Sequence, residues 1–285
     1  MQSTTSTEAG VPTTVGAALG TAATLLGQRL EAELLLAHAV GRERAWLYAH
    51  ADEPIAADQW RICRDLFRQR LEGWPVAYLL ERREFYGRPF QIGEGVLIPR
   101  PETELLIDIA LNLPLPESAR AVDVGTGSGC VALTLAAERP DWQITATDIS
   151  AEALAIAARN RDQLGLDPVE LICGDLFEPV EERLFELIVS NPPYVAEEDP
   201  HLELGDVRFE PRRALAAGPD GLYIIRRLVP ESWGRLQGGG WLLIEHGYDQ
   251  AEAVRLLLER TGFAAVQSHR DLAGIERATA GMKPG

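Results

Sequence analysis

From residue 13 to about residue 80, apolar side chains recur at steps of three and four, through Leu25, Leu30, Leu34, Leu35 and Leu36 and again through Trp60, Leu66 and Leu71. That spacing lines one side of a helix and predicts a small helical domain over residues 13–80. The preceding stretch is rich in Ser, Thr, Glu and Gly without such a period, and residues 1–12 are expected to be a disordered tail. Between Arg83 and Ile92 the pattern shortens to alternation around Gly87-Arg88-Pro89, which predicts a β-hairpin connector over residues 81–94. A second domain is expected over residues 95–285, with Pro101-Glu102-Thr103-Glu104 as a helix start: proline in the first turn, acids at the positive end of the dipole.

After Arg120 short apolar runs alternate with helical periods. Strands are expected at residues 121–124, 143–147, 169–173, 184–190 and 241–245, and helices at residues 130–138, 151–164, 222–236 and 250–260. Strands alternating with helices imply an α/β fold with a mostly parallel sheet covered on both faces. The last two strand-like runs, residues 264–269 and 275–280, are joined too closely for a crossover, so they predict an antiparallel C-terminal hairpin at one edge.

Composition narrows the classes of function. With 43 acids against 27 bases the net charge is −16, which disfavours nucleic acid as a partner. The arginines at 61, 64, 68 and 70 fall at helical spacing and read as a solvated face. No apolar stretch is long enough to span a bilayer, and the first twelve residues lack a basic start and an apolar middle, so no membrane association is expected. Cys63, Cys130 and Cys173 are far apart and form no C-x-x-C pair, and the five histidines are equally dispersed. That argues against a disulfide framework or a metal site and fits a reducing cytoplasm.

The chemistry gathers at the carboxyl ends of the predicted strands, where open α/β sheets bind their ligands. Gly125-Thr126-Gly127-Ser128-Gly129 follows the first strand and opens a helix, so its backbone can turn tightly and approach a ligand. A dinucleotide fingerprint would place glycine or alanine at 130, where this chain has Cys130. Asp148 ends the next strand, where a carboxylate can accept from both hydroxyls of a ribose; Ser150 is available as the helix cap instead. After the third strand, Gly174-Asp175-Leu176-Phe177 offers an acid for an adenine amino group and an apolar shelf from Leu176 or Phe177.

Asn191-Pro192-Pro193-Tyr194 follows the fourth strand and is the most informative stretch. The prolines fix two φ angles and add carbonyl acceptors without N–H groups, Asn191 adds an amide oxygen and Tyr194 an aromatic face. This set suits a planar NH2 group, with both amino hydrogens accepted and the lone pair turned toward an electrophile. Arg208, Glu210, Arg212 and Arg213 follow the loop and read equally as substrate contacts or as solvated charges.

These strand ends together resemble a class I S-adenosylmethionine-dependent methyltransferase with a Rossmann-like sheet. Within that class the chain resembles the PrmC/HemK family, the release factor glutamine methyltransferases. The resemblance runs from about Leu30 to Ala280 and rests on Glu31 to Leu36, Pro75 to Leu79, Glu84 to Gly87, Leu97 to Glu104, Asp123 to Gly129, Gly174 to Phe177, Ser190 to Tyr194, Glu210-Pro211 with Ala214-Leu215, and Gly218 to Gly221. Two departures are Glu31, where the family often has aspartate, and Glu81, where it commonly has glycine.

The resemblance implies N5-methylation of the glutamine in the Gly-Gly-Gln motif of class 1 peptide chain release factors, with the helical domain helping to hold that protein. It implies S-adenosyl-L-methionine as cofactor, held by Gly125, Thr126, Gly127, Ser128, Gly129, Asp148, Leu176 and Asn191. It further implies Asn191, Pro192, Pro193 and Tyr194 as substrate contacts, with Asn191, Pro192 and Tyr194 as the catalytic set and no metal. An adenine-N6 methyltransferase acting on DNA or RNA would use the same four residues, with the added need to flip a base. A non-catalytic adaptor would bind release factors but give no reason for the glycine turn, Asp148 and Asn191 to occur together.

Overall fold

The computed structural model describes residues 12–285, so the tail expected over residues 1–12 lies outside the described residues but for Pro12. The described chain divides into two units, with the boundary between Leu80 and Glu81.

The first unit is helical: α1 (Val15–Leu26), α2 (Arg29–Val40), α3 (Arg44–Ala49), α4 (Ala57–Leu71) and the single turn α5 (Val76–Leu79). Thr14 caps α1 by accepting from the Ala17 N–H, and Gly27 and Gly41 end α1 and α2 in the left-handed conformation that needs no Cβ. Val15, Leu19, Leu35, Leu36, Leu47, Trp60 and Phe67 form its core. Of the periodic leucines, Leu25, Leu30 and Leu71 are exposed, because each sits in a first or last turn; Cys63 and Phe67 take the inward positions on α4. Arg61, Arg64 and Arg68 are exposed, whereas Arg70 grips Glu31 through two hydrogen bonds of 2.7 and 2.8 Å. Buried Glu33 accepts from Arg29 at 3.1 Å, from Arg44 at 2.6 Å and from the Tyr48 hydroxyl.

The second unit opens with the hairpin β1 (Arg82–Phe85) and β2 (Arg88–Gln91). Its turn is Tyr86-Gly87, with φ of 51° and 71°, so Arg88 and Pro89 belong to the second strand rather than to the turn. Both central residues at positive φ match the twist of the two strands, as in a type I′ turn. Phe85 and Phe90 are buried in the core of this unit, and Tyr86 donates from its N–H to Glu104 and from its hydroxyl to Asp108. A 3-10 turn (Pro101–Thr103) then leads into α6 (Glu104–Asn112).

Next come β3 (Arg120–Val124), α7 (Cys130–Glu138), β4 (Gln143–Asp148), α8 (Ala151–Leu164), β5 (Glu170–Cys173) and β6 (Phe185–Ser190). They are followed by α9 (Tyr223–Arg235), β7 (Leu236–Glu245), α10 (Ala251–Thr261), β8 (Ala264–Arg270) and β9 (Glu276–Met282). The sheet order is β5-β4-β3-β6-β7-β9-β8; the first five are parallel and the last two form the antiparallel edge.

Alternation along the central strands sorts the core. Ala121, Leu187, Val189 and Leu243 pack with Leu106 and Ile107 of α6 and Val131 and Leu133 of α7. Their neighbours Val122, Val124, Ile188, Leu242 and Ile244 pack with Ile225 and Leu228 of α9 and Val254 and Leu258 of α10. Both faces being covered, the strands read as nearly continuous apolar runs. The chain winds outward from β3 to β5 on one side and from β6 to β7 on the other, so β3 and β6 flank the switch point, where a crevice opens at the carboxyl ends.

Candidate active site

The turn after β3 is shaped by backbone needs. Gly125, Gly127 and Gly129 have φ of 77°, 57° and 82°, and a Cβ on Gly129 would lie 3.0 Å from Leu133 Cδ1 and 3.2 Å from Ala157 Cβ. The N–H groups of Gly125 and Thr126 donate to the Thr147 carbonyl of β4 at 2.8 and 3.0 Å. Asp123, buried at the end of β3, accepts from the Thr126 hydroxyl at 2.6 Å and from the Ala132 N–H in the first turn of α7 at 3.1 Å. Burial pushes its carboxyl up to about 7, against those two donors. Buried Asn160 of α8 closes the other side, donating to the carbonyls of Ser128 and Gln91 and accepting from the Gln91 N–H.

Beneath this turn lies a cavity of about 380 Å³ lined by residues 123–128, Asp148, Ile149, Asp175, Leu176 and residues 190–193, among others. Asp148 accepts from the Gly127 N–H and the Ser150 N–H, both at 2.8 Å, while the Ser150 side chain caps α8 by accepting from Ala153. Each carboxylate oxygen has a further lone pair for hydroxyls in the cavity. Leu176 lies on the cavity with φ of 46°, a conformation costly for a branched side chain, and Thr147 donates to its carbonyl at 3.1 Å. Phe177, the other candidate for an adenine shelf, is instead buried in the core against Val180 and Val124. Asp175 gives one oxygen to Arg227 at 2.8 Å and keeps the other for the cavity. Ile149, an apolar side chain left 65% exposed on the rim, is a lining residue that the sequence pattern did not single out.

The Asn-Pro-Pro-Tyr loop leaves β6 beside that cavity, its strand tied to β3 by the Ser190 hydroxyl, which donates to the Val124 carbonyl at 2.6 Å. A second cavity, about 180 Å³, opens on its far side, lined by Leu97, Arg100, Tyr194, Val195, His201, Leu202, Val207 and Leu215. Asn191 and Pro192 line both cavities, whereas Pro193 lines only the larger and Tyr194 only the smaller. The Asn191 side-chain nitrogen donates to the Thr103 hydroxyl at 3.1 Å, and its Oδ1 is buried without a partner. An unpartnered buried acceptor is costly unless a ligand supplies the donor. Asn191 itself belongs to the walls of both cavities.

The loop is held from behind by residues distant in sequence. The Tyr194 hydroxyl donates to Glu245 at the end of β7 at 3.1 Å, and burial pushes that hydroxyl up. Gln250 donates to the Tyr194 carbonyl at 3.0 Å, and Gly221, at φ 73°, leaves no room for a Cβ beside that carbonyl. Glu210 is buried and accepts from the Ile98 N–H at 2.9 Å and from Arg100, which removes it from the solvated charges. Arg212 donates to Glu203 and to the Glu197 carbonyl, Arg213 to Ser150 and Glu152, and Arg208 lies over the Phe209 ring. Cys130 lines the larger cavity as an uncharged wall, its thiol pushed up to about 12 by burial. Among the described residues no group of His, Cys, Asp or Glu could hold a metal ion, and no helix is long and apolar enough to cross a membrane.

An adenosine-bearing sulfonium fits the larger cavity: a carboxylate at its rim, glycine backbone within reach, an apolar shelf at Leu176 and an unpaired amide oxygen at the far end. A model of the "Methyltransferase small domain" family matches residues 101–218, and one of the "PrmC N-terminal domain" family matches residues 18–80. In solved structures, a methyltransferase from Pyrococcus furiosus superposes with a TM-score of 0.54 over 76% of this chain and 98% of its own, at 19% identity, which speaks to the fold alone. Fold and cavity thus define an S-adenosylmethionine-dependent methyltransferase of class I. A release factor glutamine methyltransferase from Xylella fastidiosa (strain 9a5c) is 48% identical over 94% of this chain and 98% of its own length. One from Bordetella pertussis is 49% identical over 89% and 94%. The chain belongs to the family of release factor glutamine methyltransferases.

Proposed function

We propose that this enzyme methylates the N5 nitrogen of the glutamine in the Gly-Gly-Gln motif of class 1 peptide chain release factors. The observation that carries the reading is the buried, unpartnered Oδ1 of Asn191, a residue in the walls of both cavities. A glutamine side chain entering the smaller cavity brings the N–H that this oxygen lacks, and the Pro192 carbonyl accepts the second. Tyr194, on the same cavity, packs against the amide plane, and Pro193 stiffens the loop from the other side.

An amide nitrogen is a poor nucleophile because its lone pair is delocalised into the carbonyl, so these residues work by orientation. With both amino hydrogens accepted, the nitrogen presents its lone pair toward the larger cavity. When bound there, S-adenosylmethionine supplies an electrophilic methyl group on a positively charged sulfur. Gly125, Thr126, Gly127 and Ser128 would cradle it, with Gly129 turning the backbone from that cradle into α7, Asp148 would accept from its ribose, and Leu176 would support its adenine. Methylated there, the nitrogen would keep one hydrogen for these acceptors and release the other as a proton to water. The helical unit over residues 13–80 helps to hold the protein substrate, and the reaction takes place in the cytoplasm, where release factors work. The net charge of −16 favours a protein over a nucleic-acid substrate.

The test is methyl transfer from labelled S-adenosylmethionine to an intact release factor, beside a copy whose Gly-Gly-Gln glutamine is alanine and a DNA duplex. Label on the intact factor alone is the expected result. Label on the alanine copy would move the modified residue elsewhere, and label on DNA would replace glutamine by adenine.

A further inference from the structure

Behind the Asn-Pro-Pro-Tyr loop lies a buried carboxylate for which the reaction so far has no use. Glu245 ends β7, is 2% exposed, and belongs to the strand beside β6. Its Oε1 accepts from the Tyr194 hydroxyl at 3.1 Å, and its Oε2 makes no hydrogen bond of ordinary geometry. The Thr103 hydroxyl faces the same carboxylate and favours its ionised form. Thr103 in turn is the acceptor for the Asn191 side-chain nitrogen at 3.1 Å. Glu245 therefore stands behind two of the side chains that line the smaller cavity, Tyr194 directly and Asn191 through one hydroxyl.

We propose that Glu245 is the positioning residue of the active-site loop, setting which way round the Asn191 amide stands. An ionised carboxylate only accepts, and Oε2 has no other partner, so it draws the single hydroxyl hydrogen of Thr103 to its side while Oε1 takes that of Tyr194. The Thr103 oxygen is then left as an acceptor, which selects the NH2 end of Asn191 and turns Oδ1 toward the incoming amide. Without the carboxylate, Thr103 can give its hydrogen to Oδ1, the side chain turns over, and the substrate NH2 meets another NH2.

The charge state of Glu245 follows its surroundings. Burial raises its pKa to about 7, the Thr103 and Tyr194 hydroxyls and Arg277 act to lower it, and Glu102 adds to the rise. Arg277 is held 3.1 Å from Asp271, and Arg100, which also acts on Tyr194, is bound to Glu210. Protonated, Glu245 becomes a donor on one oxygen and the selection of the Asn191 orientation is lost. Turnover should therefore fall as pH drops through about 7.

This inference rests on the substrate role proposed for Asn191 and Tyr194. Its test is Glu245→Gln, alike in shape but with one acceptor replaced by two donors. Methyl transfer to an intact release factor is followed from pH 5.5 to 8.5, beside Asn191→Ala. The expected result is kcat at pH 8 at least ten-fold down, cofactor affinity within two-fold of the unaltered enzyme, and loss of the acidic fall in kcat. Thr103→Val, which keeps the shape and removes the relay hydroxyl, should lower kcat alike, and adding it to Glu245→Gln should cost little more. It also carries the test should the glutamine variant not fold. Unchanged kcat and an unchanged pH profile in either variant, with Asn191→Ala inactive, would overturn the role of Glu245 and leave the substrate reading standing. An active Asn191→Ala would overturn both.

Discussion

The two loops at the switch point, one after β3 and one after β6, solve the same problem of holding a ligand against a strand end by opposite means. The glycine turn is held mostly through its own backbone: Asp123 binds Thr126 and Ala132, three and nine residues on, Thr147 and Asp148 of the adjoining strand take the Gly125, Thr126 and Gly127 N–H groups, and Asn160 donates to the Ser128 carbonyl. The Asn-Pro-Pro-Tyr loop is held by side chains from far away, with Thr103 88 residues before Asn191 and Glu245 51 residues after Tyr194. On the roles proposed above, backbone geometry serves the cofactor, and side-chain polarity serves the group that tells a substrate nitrogen from others.

That contrast can be broken most directly at Asn191. Asn191→Ala removes the unpartnered acceptor and should lower kcat by about a hundred-fold or more, with the cofactor dissociation constant little changed, because orientation contributes on that scale; calorimetry beside a methyl-transfer assay separates the two. Asp148→Ala acts on the other loop and should do the reverse. It removes a charge-assisted acceptor, so cofactor binding should weaken roughly ten- to a hundred-fold while kcat at saturation falls far less. If both variants altered the same kinetic constant, the division of labour between the loops would be wrong.

A smaller effect concerns the acid under the glycine turn. Burial raises Asp123 to about 7 in the folded chain, against about 3.9 when unfolded. Between those values the folded state binds the extra proton, so this group's contribution to stability is fully present below about pH 4 and is lost as pH rises through about 7. Asp123→Asn keeps an acceptor for Thr126 and Ala132 and does not titrate. Its melting temperature relative to the unaltered protein should rise from pH 5 to pH 8; a constant difference would mean that Asp123 is not protonated in that range. The smallest effect is expected at Glu81, whose φ of 53° lies in the left-handed region. Relief of steric strain outweighs the greater freedom of an unfolded glycine, so Glu81→Gly should stabilise by roughly 0.5–1 kcal/mol in a denaturant titration, with activity unchanged.

How much of this was legible in the sequence follows the same divide. The strands and helices after Arg120 announce themselves because two-sided burial gives short apolar runs between turn residues, and the order of strand and helix implies a parallel sheet. The ends of those strands were equally legible, since Gly125 to Gly129, Asp148, Leu176 and Asn191 to Tyr194 are contiguous or directly terminal to a run. Thr103, Asn160 and Glu245 were not read as part of the site, because each acts on a partner that is distant in the chain and adjacent only in the fold, and Glu210 stood between a substrate contact and a solvated charge until the fold placed Ile98 and Arg100 beside it. Glu245 even reads as the polar end of a core strand. Phe177 was ambiguous with Leu176 because both are apolar and follow the end of a strand, and only the turn at Leu176, with φ of 46°, decides which enters the core. The exposed Leu25, Leu30 and Leu71 show the limit of periodicity, which gives a helix a face without saying where its last covered turn ends.

The partition of the crevice at Asn191 and Pro192 also bears on how such enzymes diversify. The glycine turn and Asp148 on the larger cavity and the supports of Tyr194 on the smaller one come from different strands, with separate buried acids, Asp123 on β3 and Glu245 on β7. A lineage can therefore exchange one acceptor nitrogen for another by rewriting the loop after β6 and the few side chains behind it, while inheriting its methyl-donor compartment intact.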